Sequence, residues 1–252
     1  MLFDTHAHLN DPVFDEDRDA LISGLPQAGL SLVMNPGCSL ENSRQAIAIA
    51  ENYPFVYAAV GTHPDTADEV DESVIEEYRR LCRHEKVKAI GEIGLDYYYE
   101  DIHREIQQKA FRMQMELARE VNLPVIIHQR DACEDTLQII RDYPDVTGVF
   151  HCFSASAEVA RQLVKKGWYI GFTGVLTFKN ARKAVETAQA IPLDRIVLET
   201  DCPFMAPEPF RGKRNHPGYL YRMAEQLAQI RGISPEEAAA ITLENGKRLY
   251  RI

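Results

Sequence analysis

Leu2-Phe3-Asp4-Thr5-His6-Ala7-His8 opens as a short apolar run and closes on two histidines one residue apart. The run over 2–6 is the first of eight. The others cover 30–35, 55–61, 87–91, 124–128, 148–151, 168–172 and 195–199, and all are short and bounded by Gly, Pro, Asn or Asp. Many are β-branched or aromatic, so they read as strands. Between them lie amphipathic stretches. After Asp101, Ile106, Ala110, Met113, Leu117 and Val121 recur at steps of three or four, which predicts one face of a helix. Val74, Tyr78 and Leu81 repeat the pattern one unit earlier, and Ser234-Pro235 marks the start of a last helix.

Eight strand–helix units in 252 residues predict a single domain, residues 1–252, folded as a TIM-type (β/α)8 barrel of parallel strands with outer helices. The alternative is an open, doubly wound sheet. That fold ordinarily brings a G-x-G-x-x-G turn after its first strand, and the sequence has none.

Bulk properties narrow the function. Apolar residues make up 45% and charged residues 26%, a soluble globular balance, and no apolar run is long enough to span a bilayer. The first residues carry no basic flank or apolar core of a signal peptide. The five cysteines are scattered without a C-x-x-C pair, which fits a reducing compartment, so a cytoplasmic protein without membrane attachment is expected, as a monomer. A net charge of −10 excludes a protein that coats nucleic acid electrostatically, though not a nuclease with a small, local contact.

The histidines carry the chemistry. His84 and His103 fall in polar helical segments and His216 near a helix start, whereas His6, His8, His63, His128 and His151 all sit at or just past the carboxyl end of a strand. In a barrel those ends form the active-site face. Strand alternation aims His6 and His8 to one side, and Glu199 and Asp201 are likewise two apart. Glu92 ends the fourth strand, and barrel closure brings Asp201 beside the His-x-His pair. A lone His-x-His recurs by chance, but six such side chains on five strand ends converge on one cavity. One catalytic ion takes about four protein ligands at most. Six therefore point to two divalent ions sharing a carboxylate. Glu92 is the expected bridge, with His6, His8 and Asp201 completing one site and His128 and His151 the other. Imidazoles favour zinc, cobalt, nickel or manganese, and carboxylates also suit magnesium. Asp201 is the candidate general base, Glu199 an orienting carboxylate behind a ligand, and His63 either a loop histidine or a phosphate donor.

At these residues the sequence resembles the TatD-type metal-dependent deoxyribonucleases, an amidohydrolase-like barrel family. The likeness runs through Asp4-Thr5-His6-Ala7-His8-Leu9, Gly61-Thr62-His63-Pro64, Gly91-Glu92-Ile93-Gly94-Leu95-Asp96-Tyr97, Val125-Ile126-Ile127-His128-Gln129-Arg130, His151-Cys152-Phe153-Ser154 and Glu199-Thr200-Asp201-Cys202-Pro203. Thr177-Phe178-Lys179-Asn180-Ala181 and Arg211-Gly212-Lys213-Arg214-Asn215 extend it. Ala155 stands where the family usually has Gly. The resemblance implies metal-dependent hydrolysis of DNA phosphodiesters, with the same six ligands.

On the substrate side, Arg211, Lys213 and Arg214 form the densest basic cluster, in the loop after the last strand, where barrels often bind phosphate. Lys179 and Asn180 open the following helix of strand seven, whose free N–H groups attract anions. Tyr97, Tyr98, Tyr99 and Phe153 are placed to stack on unpaired bases, so strand ends or single strands are the expected substrate. Cys152 and Cys202 should point away from the cavity and be inert. The rival enzyme reading is an amidohydrolase or phosphotriesterase-like activity on a small molecule. Such relatives often bridge their metals through a modified lysine, and Lys88 lies too early on its strand to do so. A rival of another class is an idle metal-binding scaffold that docks a protein partner.

Overall fold

The computed structural model describes residues 1–99 and 103–252. Its strands are β1 (Leu2–Asp4), β2 (Leu30–Pro36), β3 (Val56–Val60), β4 (Val87–Asp96), β5 (Val125–Arg130), β6 (Gly148–Phe150), β7 (Tyr169–Phe172) and β8 (Ile196–Leu198). They form one parallel sheet in sequence order. Its two edges meet through the segments that follow them: Ala7 bridges Cys202, the Thr5 N–H donates to the Leu198 carbonyl at 3.1 Å, and the Asp201 N–H donates to the His6 carbonyl at 2.9 Å. The barrel is thus nearly closed, and the open-sheet alternative, which needs a reversal of strand order, is not the fold.

Two-residue periodicity builds the interior. Phe3, Met34, Ala59, Ala89, Ile126, Val149, Tyr169 and Val197, one from each strand, pack into a single inner cluster. Stepping on by two residues from Ile126, Val149 and Val197 reaches His128, His151 and Glu199, so alternation alone aims these three inward. β4 differs from expectation. It runs on to Asp96, and a register shift between Ile90 and Ile93 breaks its alternation, so that Glu92 turns to the interior from within the strand rather than from its end. The inner side of β7 is kept small for the site: a Cβ on Gly171 would lie 2.6 Å from a carboxylate oxygen of Glu199.

Helices α1 (Arg18–Gly24), α2 (Leu40–Asn52), α3 (Glu72–Leu81), α4 (Arg104–Val121), α5 (Cys133–Arg141), α6 (Ala157–Lys165), α7 (Arg182–Ala190), α8 (Leu220–Arg231) and α9 (Pro235–Tyr250) accompany the strands. The larger apolar cluster joins strand residues such as Val33, Ile90, Ile127 and Leu198 to Ile22, Ile75, Phe111, Ile139, Leu163 and Leu227 on the helices. α9 begins as expected, with the Ser234 hydroxyl accepting from the Glu237 N–H. Its last turn supplies Leu249 and Tyr250 to the inner cluster, and the Tyr250 hydroxyl donates to the Thr5 carbonyl.

In α4 the buried face is rotated from the predicted one. Ile106 is exposed, while Gln107 and Gln114 are buried with Ala110, Phe111 and Leu117. The glutamines are inside because each amide is satisfied twice. Gln114 accepts from the Thr62 N–H at 2.7 Å and donates to the Thr62 carbonyl, and Gln107 does the same for Asp96. Both clamps hold backbone next to the site. Among the described residues no helix is long and apolar enough to cross a membrane.

Candidate metal centre

Glu92 is the hub of the inner face. Its Oε2 lies 3.2 Å from His6 Nε2 and 3.6 Å from His8 Nε2, while Oε1 lies 2.8 Å from His128 Nδ1 and 2.7 Å from His151 Nε2. Asp201 Oδ1 stands 3.4 Å from His8 Nε2 and 3.7 Å from His6 Nε2. All six side chains singled out in the sequence therefore meet, the four imidazoles divided between the two oxygens of Glu92 and Asp201 set beside His6 and His8. His63 joins them, its Nε2 3.8 Å from Glu92 Oε1.

The spacing tests whether a metal fits. Donors 2.0–2.1 Å from a tetrahedral ion lie about 3.3 Å from one another. The approaches of His6 to His8 at 3.1 Å and of His128 to His151 at 3.2 Å match such an edge, as do the Asp201 distances. His6, His8 and Glu92 form one group able to hold an ion, and His63, Glu92 and His128 another. A third combination joins His6 and His151 to Glu199.

Burial and charge oppose each other here. Desolvation alone would raise the carboxyl of Glu92, but the charges of His151 and His6 and the hydrogen bonds of His128 and His151 hold it well below the usual range. Asp201 is likewise lowered against its burial, through the His8 hydrogen bond and the charges of His151 and His6. Burial would lower His8, His128 and His151, yet their anionic partners raise all three. His6 is lowered, by burial and by the charge of His151. The Asp201 backbone has φ 54°, a left-handed conformation that Asp tolerates better than most residues and that occurs where a site demands it.

Further carboxylates stand behind the cluster. Glu199, fully buried, accepts from the Cys152 N–H at 2.5 Å and lies 3.6 Å from His151 Nδ1. Asp96 Oδ2 lies 3.1 Å from His128 Nε2, a partner that the sequence reading missed, although Asp96 stands in the quoted fourth-strand segment. Cys38 was also missed. Its thiol is 3.8 Å from His8 Nδ1, and nothing in the spacing of its segment points to it.

A cavity of about 570 Å³ opens beside this cluster, with His128, His151 and Asp201 on its wall. Phe153 lines it as expected, and so does Cys152, which was expected to face away. The chain turns at Cys152 to φ 42°, so strand alternation no longer applies there. Cys202, expected to face away from the cavity, is buried and is not on its wall. Arg211 and Lys213 are not on the cavity wall: Arg211 lies over the Phe178 ring at 4.3 Å and Lys213 is 6.0 Å from that of Phe210. Arg214 is paired with Asp17. The cations that do line the cavity are Arg130, Arg182 and Lys183, the last two at the start of α7. Tyr97 is tied to Asp135 by its hydroxyl, whereas Tyr98 and Tyr99 are exposed, with the Arg130 guanidinium 3.5 Å from the Tyr98 ring centre. Lys88 sits over Tyr57 and so does not take the bridging place that Glu92 holds.

A nearly closed parallel barrel with this His, Glu and Asp cluster at its strand ends defines a metal-dependent hydrolase. The family model for TatD related DNase matches residues 3–251, and the chain belongs to that family. It is 46% identical to the uncharacterized metal-dependent hydrolase YabD of Bacillus subtilis, over 100% of both chains. It is 37% identical to YcfH of Escherichia coli, covering 100% of this chain and 96% of that one. The crystal structure of YjjV, a TatD homologue from Escherichia coli, superimposes with a TM-score of 0.93 at 32% identity, over 100% of this chain and 98% of that chain.

Proposed function

We propose that the protein is a deoxyribonuclease that hydrolyses phosphodiester bonds with two divalent ions, at strand ends or in single strands. The observation that carries this reading is the division of Glu92 between two groups of donors, His6 and His8 on one oxygen, with Asp201 beside them, and His128 and His151 on the other. When bound, the two ions supply Lewis acidity, lowering the pKa of water and drawing charge from the phosphate oxygens. Asp201, kept ionised by its imidazole neighbours, takes the proton of the attacking water. His63 reaches the same face from the segment after β3 and donates to a phosphate oxygen. Glu199 and Asp96 fix the rings of His151 and His128, the arrangement that raises ligand basicity in metal sites. The five free cysteines support a reducing, cytoplasmic setting.

A substrate panel tests the reading. Metal-loaded protein should cleave bis-p-nitrophenyl phosphate and end-labelled single-stranded DNA, lose that activity on chelation, and regain it with divalent metal. Turnover of lactones or amides with no phosphodiester cleavage would instead make it a small-molecule hydrolase. Turnover of none of these would favour the scaffold.

A further inference from the structure

We infer that the cavity between β6, β7 and the start of α7 is a nucleoside pocket, which seats the base of the nucleotide whose phosphate is cleaved. The inference rests on the phosphodiesterase reading and deepens it. Position comes first. His128, His151 and Asp201 line the cavity, so whatever fills it lies directly beside the metal-ligand cluster.

Chemistry comes second. The far wall is apolar, made by Phe153, Phe172, Val175, Leu176 and Ala184. Asn180 adds an amide and Thr173 a hydroxyl, while Arg130 and Lys183 add positive charge and Arg182, paired with Glu186, stands at the exposed rim. A flat heteroaromatic ring with polar edges, joined to phosphate, satisfies both halves, whereas an alkyl chain would leave the polar groups without partners. Size comes third. About 570 Å³ falls within the range of about 300–1,000 Å³ that encloses one small ligand, so the space takes one nucleotide unit. The α7 N-terminus, with Arg182 and Lys183 on its first turn, borders the same space and favours an anion there.

The test measures binding, by calorimetry on zinc-loaded protein, of thymidine 5′-monophosphate, deoxyribose 5-phosphate and inorganic phosphate. The nucleotide should bind at least about tenfold more tightly than the abasic sugar phosphate, since desolvating a base against apolar walls easily supplies that factor. Val175→Trp, at a half-buried position, and Ala184→Phe should each erase that preference while keeping phosphate affinity within about twofold and metal content unchanged. Equal wild-type affinity for nucleotide and abasic sugar phosphate would overturn the proposal, and this arm needs no variant to fold. So would folded variants that keep the preference, or that lose phosphate and nucleotide binding together. Cleavage of methyl p-nitrophenyl phosphate by the wild type reports separately on the phosphodiesterase reading, because this diester has no base. Its absence beside a clear preference for the nucleotide would refute the reaction and leave the pocket standing.

Discussion

His6 and His151 lie face to face, their ring centres 4.1 Å apart and their planes 13° from parallel. Each ring grips a different oxygen of Glu92, at 3.2 Å and 2.7 Å. The stack is thus a clip across the barrel, joining the end of β1 to the end of β6 through a carboxylate from β4. Two cationic rings in that position would repel each other. The charge of His151 is accordingly one cause, after burial, of the lowered His6, so the pair avoids carrying two charges.

Glu92→Gln follows directly. A neutral amide cannot bridge two cations well, so the variant should lose at least one equivalent of metal and about 100-fold or more in hydrolytic rate. Metal analysis of the purified variant beside wild type checks it. Two retained equivalents with normal turnover would move the bridge elsewhere.

Glu199→Gln should act through His151. The carboxylate touches the ring's Nδ1 side and the Cys152 N–H, not the face where the ligand nitrogens gather. Its loss should weaken the affinity for one ion about 10–100-fold, and excess metal should restore much of the rate. A competition titration against a chelating dye separates this from plain misfolding, which excess metal would not rescue.

Stabilisation by metal should grow with pH. Glu92 and Asp201 are depressed, so their contribution to stability is present above the unfolded carboxylate range and is lost as pH falls through their folded values. His8, His128 and His151 are raised, so theirs is complete below the unfolded histidine value of about 6.5 and is lost as pH rises through the folded values. Chelated protein should therefore lose stability on the alkaline side, where metal replaces the missing protons. In acid, metal must displace them. The rise in Tm on adding zinc, measured from pH 5.5 to 8.5, should be small at the acid end and largest at the alkaline end. A rise independent of pH would show that these imidazoles do not bind the ion.

Gln114→Leu should destabilise the fold by about 2–6 kcal/mol. It strands the buried N–H and carbonyl of Thr62, each at a cost of about 1–3 kcal/mol. Because His63 follows Thr62, activity should fall further than metal content does. Urea denaturation with metal analysis reads both effects.

How far the sequence foretold this site depended on strand period. Inward residues two steps beyond the inner cluster, His128, His151 and Glu199, were legible because β5, β6 and β8 keep their alternation up to those positions. Glu92 was legible by residue type but misplaced at a strand end, since the register shift between Ile90 and Ile93 leaves no mark in composition. Cys152 was misjudged for a similar reason: alternation cannot see a positive φ. The buried face of α4 was misread because Gln107 and Gln114 look like solvent-facing residues until the backbone groups they satisfy are in place. Arg211 and Lys213 drew attention by density, but density along a chain does not say which cations face a cavity.

The cations on the cavity wall lead to a salt experiment. If the substrate is a single strand or a strand end, few phosphates can reach the site, because an acidic chain offers little positive surface elsewhere. Two to four contacts should give a slope of log affinity against log salt of about −1.5 to −3 for single strands. Arg182 and Lys183 line the cavity at the start of α7, and replacing both with Ala should flatten that slope by about one unit without changing metal content. The same treatment of Arg211 and Lys213, which are off the cavity wall, should flatten it less. Arg214→Ala should leave it unchanged, since that guanidinium is held against Asp17 and the Phe14 ring, away from the cavity wall. The titration should use metal-loaded but inactive protein, with a labelled single strand, a blunt duplex and a closed circular duplex. Tighter binding to the circle, or a slope that responds to Arg211 and Lys213 but not to Arg182 and Lys183, would place the nucleic acid on the loop after β8 and away from the α7 cavity.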